Sequence, residues 1–432
     1  MVTDPALGAD LILDTSGAVS DAIILSMPVT TRSAARPSKT VDRADASTHP
    51  WITFRADLRS AGRDLWVAIG EADANIAQVA GAPLLPETAA ELHRLYLAKG
   101  ALATTAIKGN GLTEQQVLQH LQGKLRLAPS QQHWVKEIDN VLVAANQIAQ
   151  DVRYGAGTLL TPERLRELNR AVLRGLDLEK GVVPGQFRKH SATVADDRGA
   201  PAEQCDHLVG RMCEWLNDPA LDTGGLTLPP IGSAIVRALL AHLYLTWIHP
   251  FGDGNGRTAR LLELQILHTA GVPMPAAHLL SSHYNQTRSD YQRLLDATSR
   301  SGGDVLAFVL YAVRGLVEGL RSQLAVIRER QSDVAWERYV HGAFKDNNGA
   351  TADRRRWLAL DLAASPIPLP RAAIRDLSPR LARAYANKTD KTLTRDLNAL
   401  QQLRLVTRDA DGYVANRAVT LAFLPATAAA PE

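Results

Sequence analysis

The sequence predicts a mainly α-helical protein, with β structure limited to a short hairpin near the middle and a two-stranded piece near the C-terminal end. Residues 231–248 are mostly apolar and hold no Gly or Pro after Gly232, enough for about five helical turns. Residues 134–149 place Val135, Ile138, Leu142 and Ala145 at helical spacing. Paired strands are expected only at 184–188 with 191–195 and at 405–408 with 413–415.

Taken in order, residues 1–50 mix Ser, Thr, Asp, Ala and Pro with weak periodicity, as expected of a disordered leader with one short strand at 11–13. Residues 51–110 follow as N-terminal helices. A brief extended segment at 51–54 leads into a helix over 57–80, and Pro83 and Pro86 separate it from another over 87–106. Helices are expected over 112–122 and 134–149. Thr161-Pro162-Glu163 then opens one more, with a capping residue, Pro in the first turn and an acid behind it. Residues 184–188 and 191–195 read as an extended pair with a turn at 196–199. Helix 203–217 and a Pro/Gly-rich loop over 218–230 precede the apolar stretch. Later helices run from 304 to about 330 or 344.

With 432 residues the chain can hold two or three domains and more than one core. A 46% hydrophobic and 22% charged composition is that of an ordinary soluble protein, and a net charge of +3 selects no partner class. Cys205 and Cys213 are too few for a disulfide framework and lack metal-ligating neighbours, so packing thiols in a reducing compartment are expected. Arg237 and His242 within 231–248 favour a buried core helix over a membrane span. The first basic residue, Arg32, follows the apolar 22–27 stretch instead of preceding it, so no secretory signal is expected and the chain is read as cytoplasmic.

The chemistry gathers in His249-Pro250-Phe251-Gly252-Asp253-Gly254-Asn255-Gly256-Arg257-Thr258-Ala259-Arg260. Pro250 disfavours helical dihedrals at His249, which should end the apolar helix. Gly252, Gly254 and Gly256 let the backbone approach a ligand without Cβ atoms between. The loop runs into a helix N-terminus, whose free N–H groups and dipole favour an anion. Arg257 and Arg260, three apart, can face one spot. Asp253 is a hard oxygen ligand suited to Mg²⁺ bridging phosphates, and Asn255 with the loop amides would hold those phosphates. His249 could take a proton from an incoming hydroxyl. Together these indicate phosphoryl or nucleotidyl transfer. A glycine-rich turn with surface arginines is the bland alternative, but so many specified positions arise by chance on the order of 10⁻⁹ at ordinary residue frequencies.

These residues resemble the signature of the Fic family, His-Pro-Phe-x-(Asp/Glu)-Gly-Asn-Gly-Arg-x-x-Arg. The resemblance covers roughly residues 90–330, within an expected catalytic domain of 111–345. It implies an all-helical fold and transfer of AMP from Mg·ATP to a Ser, Thr or Tyr hydroxyl of a protein. His249 would be the general base and Asp253 the metal ligand. Gly254, Asn255 and Gly256 would hold the α- and β-phosphates, Arg257 the β-phosphate region and Arg260 the γ-phosphate. Gly256, where a kinase-like branch carries Lys, implies the AMP-transferring orientation. The segment over 181–200 would be a flap beside the site that lays the target along its edge. Tyr284 and Asn285 match the stretch lining the adenine side, where they either touch the base or serve packing and capping. Because the anion hole grips phosphates and not bases, another donor such as UMP stays open.

Thr104-Thr105-Ala106-Ile107-Lys108-Gly109-Asn110 resembles the inhibitory motif of many Fic proteins, with Lys108 where the glutamate stands. A cation there would repel Arg260. Either the enzyme is open throughout, or Lys108 helps bind triphosphate.

Residues 350–420 resemble a winged helix-turn-helix: helical patterns over 354–364, 371–376 and 390–403, then a two-stranded wing. Thr392, Thr394, Arg395 and Asn398 would face outward on the third helix. Across 351–420 there are 13 Lys/Arg and 7 Asp/Glu, a net +6 in a chain of +3. Such a module suits a DNA backbone, and equally serves protein docking or homodimer formation. A DNA-binding regulator whose Fic domain modifies itself is therefore the second reading.

Overall fold

The computed structural model describes residues 49–421, apart from 157–158, 191–192, 195–196, 220 and 222–227. The expected leader, with its strand at 11–13, lies outside the described residues.

In chain order come α1 (Arg63–Ala80), α2 (Pro86–Ala106), α3 (Glu114–Leu121), α4 (Gln132–Arg153) and α5 (Pro162–Val172). The two-residue strands β1 (Thr193–Val194) and β2 (Asp197–Arg198) pair antiparallel, with Thr193 opposite Arg198. Next are α6 (Cys205–Asn217), α7 (Pro230–Ile248), α8 (Asn255–Thr269), α9 (Met274–Ala277), α10 (Leu279–Gln286), α11 (Arg288–Arg300) and the long α12 (Leu306–Ala343). The last stretch holds α13 (Ala350–Leu362), α14 (Arg371–Ile374), α15 (Pro379–Tyr385) and α16 (Asp390–Gln402), then antiparallel β3 (Val406–Arg408) and β4 (Tyr413–Ala415).

The axis of the larger body is α7. It is apolar on every side because it is surrounded on every side, from Ile235 through Leu245 to Ile248. Though long and apolar enough to cross a membrane, it is mostly buried within protein. Packed along α7 is α8, itself flanked by α4 and α5. Helix α5 starts where its sequence signals place it, Thr161 Oγ1 accepting the Arg164 N–H at 3.1 Å with Pro162 in the first turn. The first helix begins at Arg63, not at 57. Asp57 is instead turned onto the N–H and guanidinium of Arg59, and the Arg55 backbone bonds the buried Tyr244 hydroxyl.

Helix α1 lies parallel to the first half of α12. Arg314 meets Asp64, Arg321 meets Glu71 and Arg328 meets Gln78, each pair offset by the same 250 residues. Beyond Ile327 the same α12 enters a second core, where Trp336, Val340 and Phe344 pack with Leu358, Leu397 and Val406. Helix α15 has no counterpart in the sequence expectation. It is a single short element between two turns, started by the Ser378 hydroxyl accepting the Leu381 N–H at 3.2 Å.

The polar centre of this second core is Asp396. Its carboxylate accepts from Arg354 Nε and Arg355 Nε, each at 2.7 Å, and from the Tyr385 hydroxyl at 3.0 Å. Removing one partner of a buried charge cluster costs about 3–5 kcal/mol. Asp396→Ala is therefore expected to lower hydrogen-exchange protection across 350–421 while α7 and α8 keep theirs; equal loss in both bodies would contradict separate cores.

Candidate active site

Helix α7 ends at His249, whose backbone is left-handed (φ 49°, ψ 55°). A residue with a Cβ pays about 1–2 kcal/mol for that conformation, so its neighbours must enforce it. Arg188 does so. Its Nε donates to the His249 carbonyl at 2.7 Å and its backbone N–H to Pro250 O at 2.8 Å. The remaining guanidinium nitrogens donate to the carbonyls of His190, at 2.8 Å, and Ala200. Beside it Phe187 pairs with Phe251 as an isolated antiparallel bridge, their rings 5.2 Å apart. Residues 184–188, expected as one arm of a hairpin, thus close onto the signature loop, and the described hairpin pairing lies further on, in β1 and β2.

His249 is half-buried. Burial first, and then the Arg188 charge, push its imidazole down to about 4. It is neutral at physiological pH and able to accept a proton.

The turn that follows is built from inside. Asn255 Oδ1 accepts the Phe251 N–H at 2.9 Å and its Nδ2 donates to Phe251 O at 2.8 Å. Its side chain therefore braces the loop instead of pointing at a ligand, and what Asn255 offers an anion is its backbone N–H. Gly254 is left-handed (φ 80°), and a Cβ there would lie 2.9 Å from Asn169 Nδ2. Asn169, on α5, donates to Asp253 O at 2.9 Å and accepts from Gly185 N at 2.9 Å, tying the loop to the segment before Phe187. At Gly252 a Cβ would come within 3.0 Å of Val182. The first intrahelical bond of α8 is Thr258 N to Gly254 O, at 2.8 Å. The amides of Asn255, Gly256 and Arg257 precede it and form the helix's anion-seeking end.

Charges close around Asp253. Its Oδ1 meets the Lys108 ammonium and the Gly254 N–H, and its Oδ2 lies 3.3 Å from Arg257 Nη2. Burial alone would raise this carboxyl, but the Lys108 hydrogen bond and the Arg257 charge outweigh it and hold it below the usual range. Arg257 is buried and pinned on its other side to Glu137 of α4 at 3.0 Å. Glu137 also accepts from Asn110 Nδ2 at 3.0 Å. Lys108 thus pairs with Asp253, an interaction not expected from the sequence, where it was set against Arg260 or a bound triphosphate. Arg260 itself bonds the Thr104 carbonyl at 2.9 Å, with its Nη1 lying over Gly256, 3.2 Å from where a Cβ would be. The turn over 104–110 therefore touches the site through Thr104, Lys108 and Asn110.

Arg257 and Arg260 do not converge as a free pair; each is already engaged. Beneath Arg260, Glu263 accepts the Tyr284 hydroxyl at 2.8 Å and lies 3.2 Å from His242 Nδ1, while His242 Nε2 meets Tyr291 at 2.8 Å. Tyr284 is fully buried in this cluster and offers no face to a base, whereas Asn285 beside it is half-buried on α10. Sequence reasoning missed Arg188, Asn169 and Glu137. Nothing local marks them, since their partners stand 61, 84 and 120 residues away.

Residues 159–267, which hold this whole turn, match the family model described as Fic/DOC family. The chain carries a Fic/DOC family domain. Among curated proteins it is 30% identical over 183 residues to protein adenylyltransferase fic-1 of Caenorhabditis briggsae, covering 42% of this chain and 29% of that one. It is 34% identical over 152 residues to protein adenylyltransferase Fic of Drosophila melanogaster, covering 35% and 27%. The chain thus spans under a third of the length of these curated relatives. A solved Fic family protein from Desulfovibrio desulfuricans matches 82% of this chain and 93% of its own, at a TM-score of 0.50 and 19% identity, a likeness of fold.

Two outcomes follow from the geometry. In an NMR titration the His249 ring should titrate near pH 4 and stay neutral at pH 6; a midpoint at the ordinary value, about 6.5, would contradict its burial under Arg188. Gly254→Ala should cost about 1–3 kcal/mol in denaturant unfolding, from strain and the encounter with Asn169, and an unchanged midpoint would contradict that.

Proposed function

We propose that this chain transfers AMP from ATP, with Mg²⁺, onto a Ser, Thr or Tyr hydroxyl of a target protein. One observation carries the reading: a neutral imidazole, a partly exposed carboxylate and the free amides of a helix N-terminus meet in one braced turn. The similarity to proteins named adenylyltransferases supports it.

In this reading the amides of Asn255, Gly256 and Arg257 receive the α- and β-phosphates, and Arg260 faces the outer end of the triphosphate. His249 takes the proton as the target's hydroxyl oxygen bonds to the α-phosphorus. The bond from that phosphorus to the bridging oxygen breaks, and pyrophosphate leaves. Arg188 acts through His249, holding its backbone turn and, after burial, helping to keep the ring unprotonated.

Among the described residues no three His, Cys, Asp or Glu gather as a metal site. Mg²⁺ carried on phosphates needs only one or two protein carboxylates, so the single Asp253 fits it. When bound, the ion would offset charge on the phosphates during transfer. With Tyr284 buried, a base-side contact falls to Asn285, and the phosphate grip leaves UMP as an alternative donor.

The β1–β2 hairpin would act as the flap that receives the target by backbone pairing. The C-terminal unit, α13 to β4, would be a winged-helix docking module. Lys391, Arg395 and Asn398 are exposed on α16, which keeps DNA as its second reading. Against that, Arg354, Arg355, Arg356, Arg375 and Arg380 pair with acids of the same unit and Arg417 pairs with Asp333. The free buried thiols of Cys205 and Cys213 suit a cytoplasmic setting.

Incubation with ATP and Mg²⁺ should add one AMP to a protein hydroxyl, read by mass spectrometry. His249→Ala should slow the transfer about 10²–10⁴-fold, the usual contribution of a general base. Transfer at the wild-type rate without the imidazole would remove His249 from the reaction.

A further inference from the structure

The Lys108 ammonium donates to Asp253, the carboxylate that the proposed reaction needs for its cation. The ammonium meets Oδ1, an oxygen that also accepts the Gly254 N–H, while Arg257 sits against Oδ2. Asp253 is thus already neutralised from both sides. A divalent ion placed on this carboxylate would stand within a few ångströms of the ammonium, and like charges so close in a partly buried site repel strongly. Lys108 and a metal ion cannot share Asp253.

The two anchors on either side of Lys108 differ from it in kind. Arg260 to Thr104 O is a buried bond, and Asn110 to Glu137 is partly buried; both hold the turn over 104–110 against the body. The Lys108 side chain is 53% exposed, and its helix has already ended at Ala106. The ammonium can therefore swing away from Asp253, into solvent or onto a triphosphate, without the turn letting go.

We infer that Lys108 is a placeholder cation: it occupies the Asp253 carboxylate while no metal is bound, and an incoming divalent ion displaces it. The inference rests on the proposed role of Asp253. It makes metal entry an exchange of one cation for another, so the lysine raises the metal concentration that the site requires. It also keeps the carboxylate and the α8 amides in place before nucleotide arrives, because Asp253 never stands bare.

The test is the affinity of the full-length protein for Mn²⁺, read from free Mn²⁺ by electron paramagnetic resonance, with and without a non-hydrolysable ATP analogue. Lys108→Met and Lys108→Gln, each of similar length and uncharged, should bind Mn²⁺ about five- to tenfold more tightly than wild type, the scale of one partly exposed ion pair lost. Asp253→Ala should abolish that binding in either background. Equal or weaker Mn²⁺ binding by both Lys108 variants, with circular dichroism showing them folded, would overturn the inference, as would wild-type Mn²⁺ affinity in Asp253→Ala. AMP transfer is measured separately. Transfer intact with no affinity shift sinks the placeholder alone, and an affinity shift without transfer sinks the proposed function alone.

Discussion

A helix that ends in the middle of a protein leaves carbonyl oxygens that water cannot reach, and the end of α7 meets that constraint with a single guanidinium. Arg188 satisfies the His249 carbonyl and, through its other nitrogens, those of His190 and Ala200. Its planar fork of donors suits several carbonyls at once, which a lysine could not serve. The same positive charge acts on the imidazole of that residue. One side chain thereby holds the backbone turn that carries His249 and adds to the burial that keeps the ring unprotonated.

Asp253 shows the complementary problem, a partly buried carboxylate that must not be left unpaired. The loop carries the acid, α4 contributes Glu137 to balance Arg257, and the turn after α2 brings Lys108. Asn110 and Lys108 reach different members of this cluster from one turn, so the end of α2 is tied both to α4 and to the loop before α8 by polar contacts.

What could be read from the sequence was what is local. The stretch from His249 to Arg260 announces its helix stop, its glycine turn and its helix start within a dozen positions, because dihedral preferences and dipoles act over that range. The apolar run of α7 announced a buried helix for the same reason. Contacts made across the fold were not legible. Asn255 was expected to face a ligand, but an amide four residues past Phe251 can close the loop on itself, and it does. For Lys108 the sign of the charge was readable, while its partner lay 145 residues away in a helix packing that sequence spacing does not encode. The start of α1 moved to Arg63 because Asp57 satisfies its own neighbour, and α15 escaped notice since a single short helix has no periodicity to detect.

The length of α12 has a mechanical meaning. Thirty-eight residues of unbroken helix span about 57 Å, and both ends are embedded in packed cores. A loop linker would let the C-terminal unit wander; this strut keeps it at a set range and bearing from the turn at His249. Anything held at the far end is therefore presented at one reach and orientation, so geometry as well as affinity would select what arrives within striking distance.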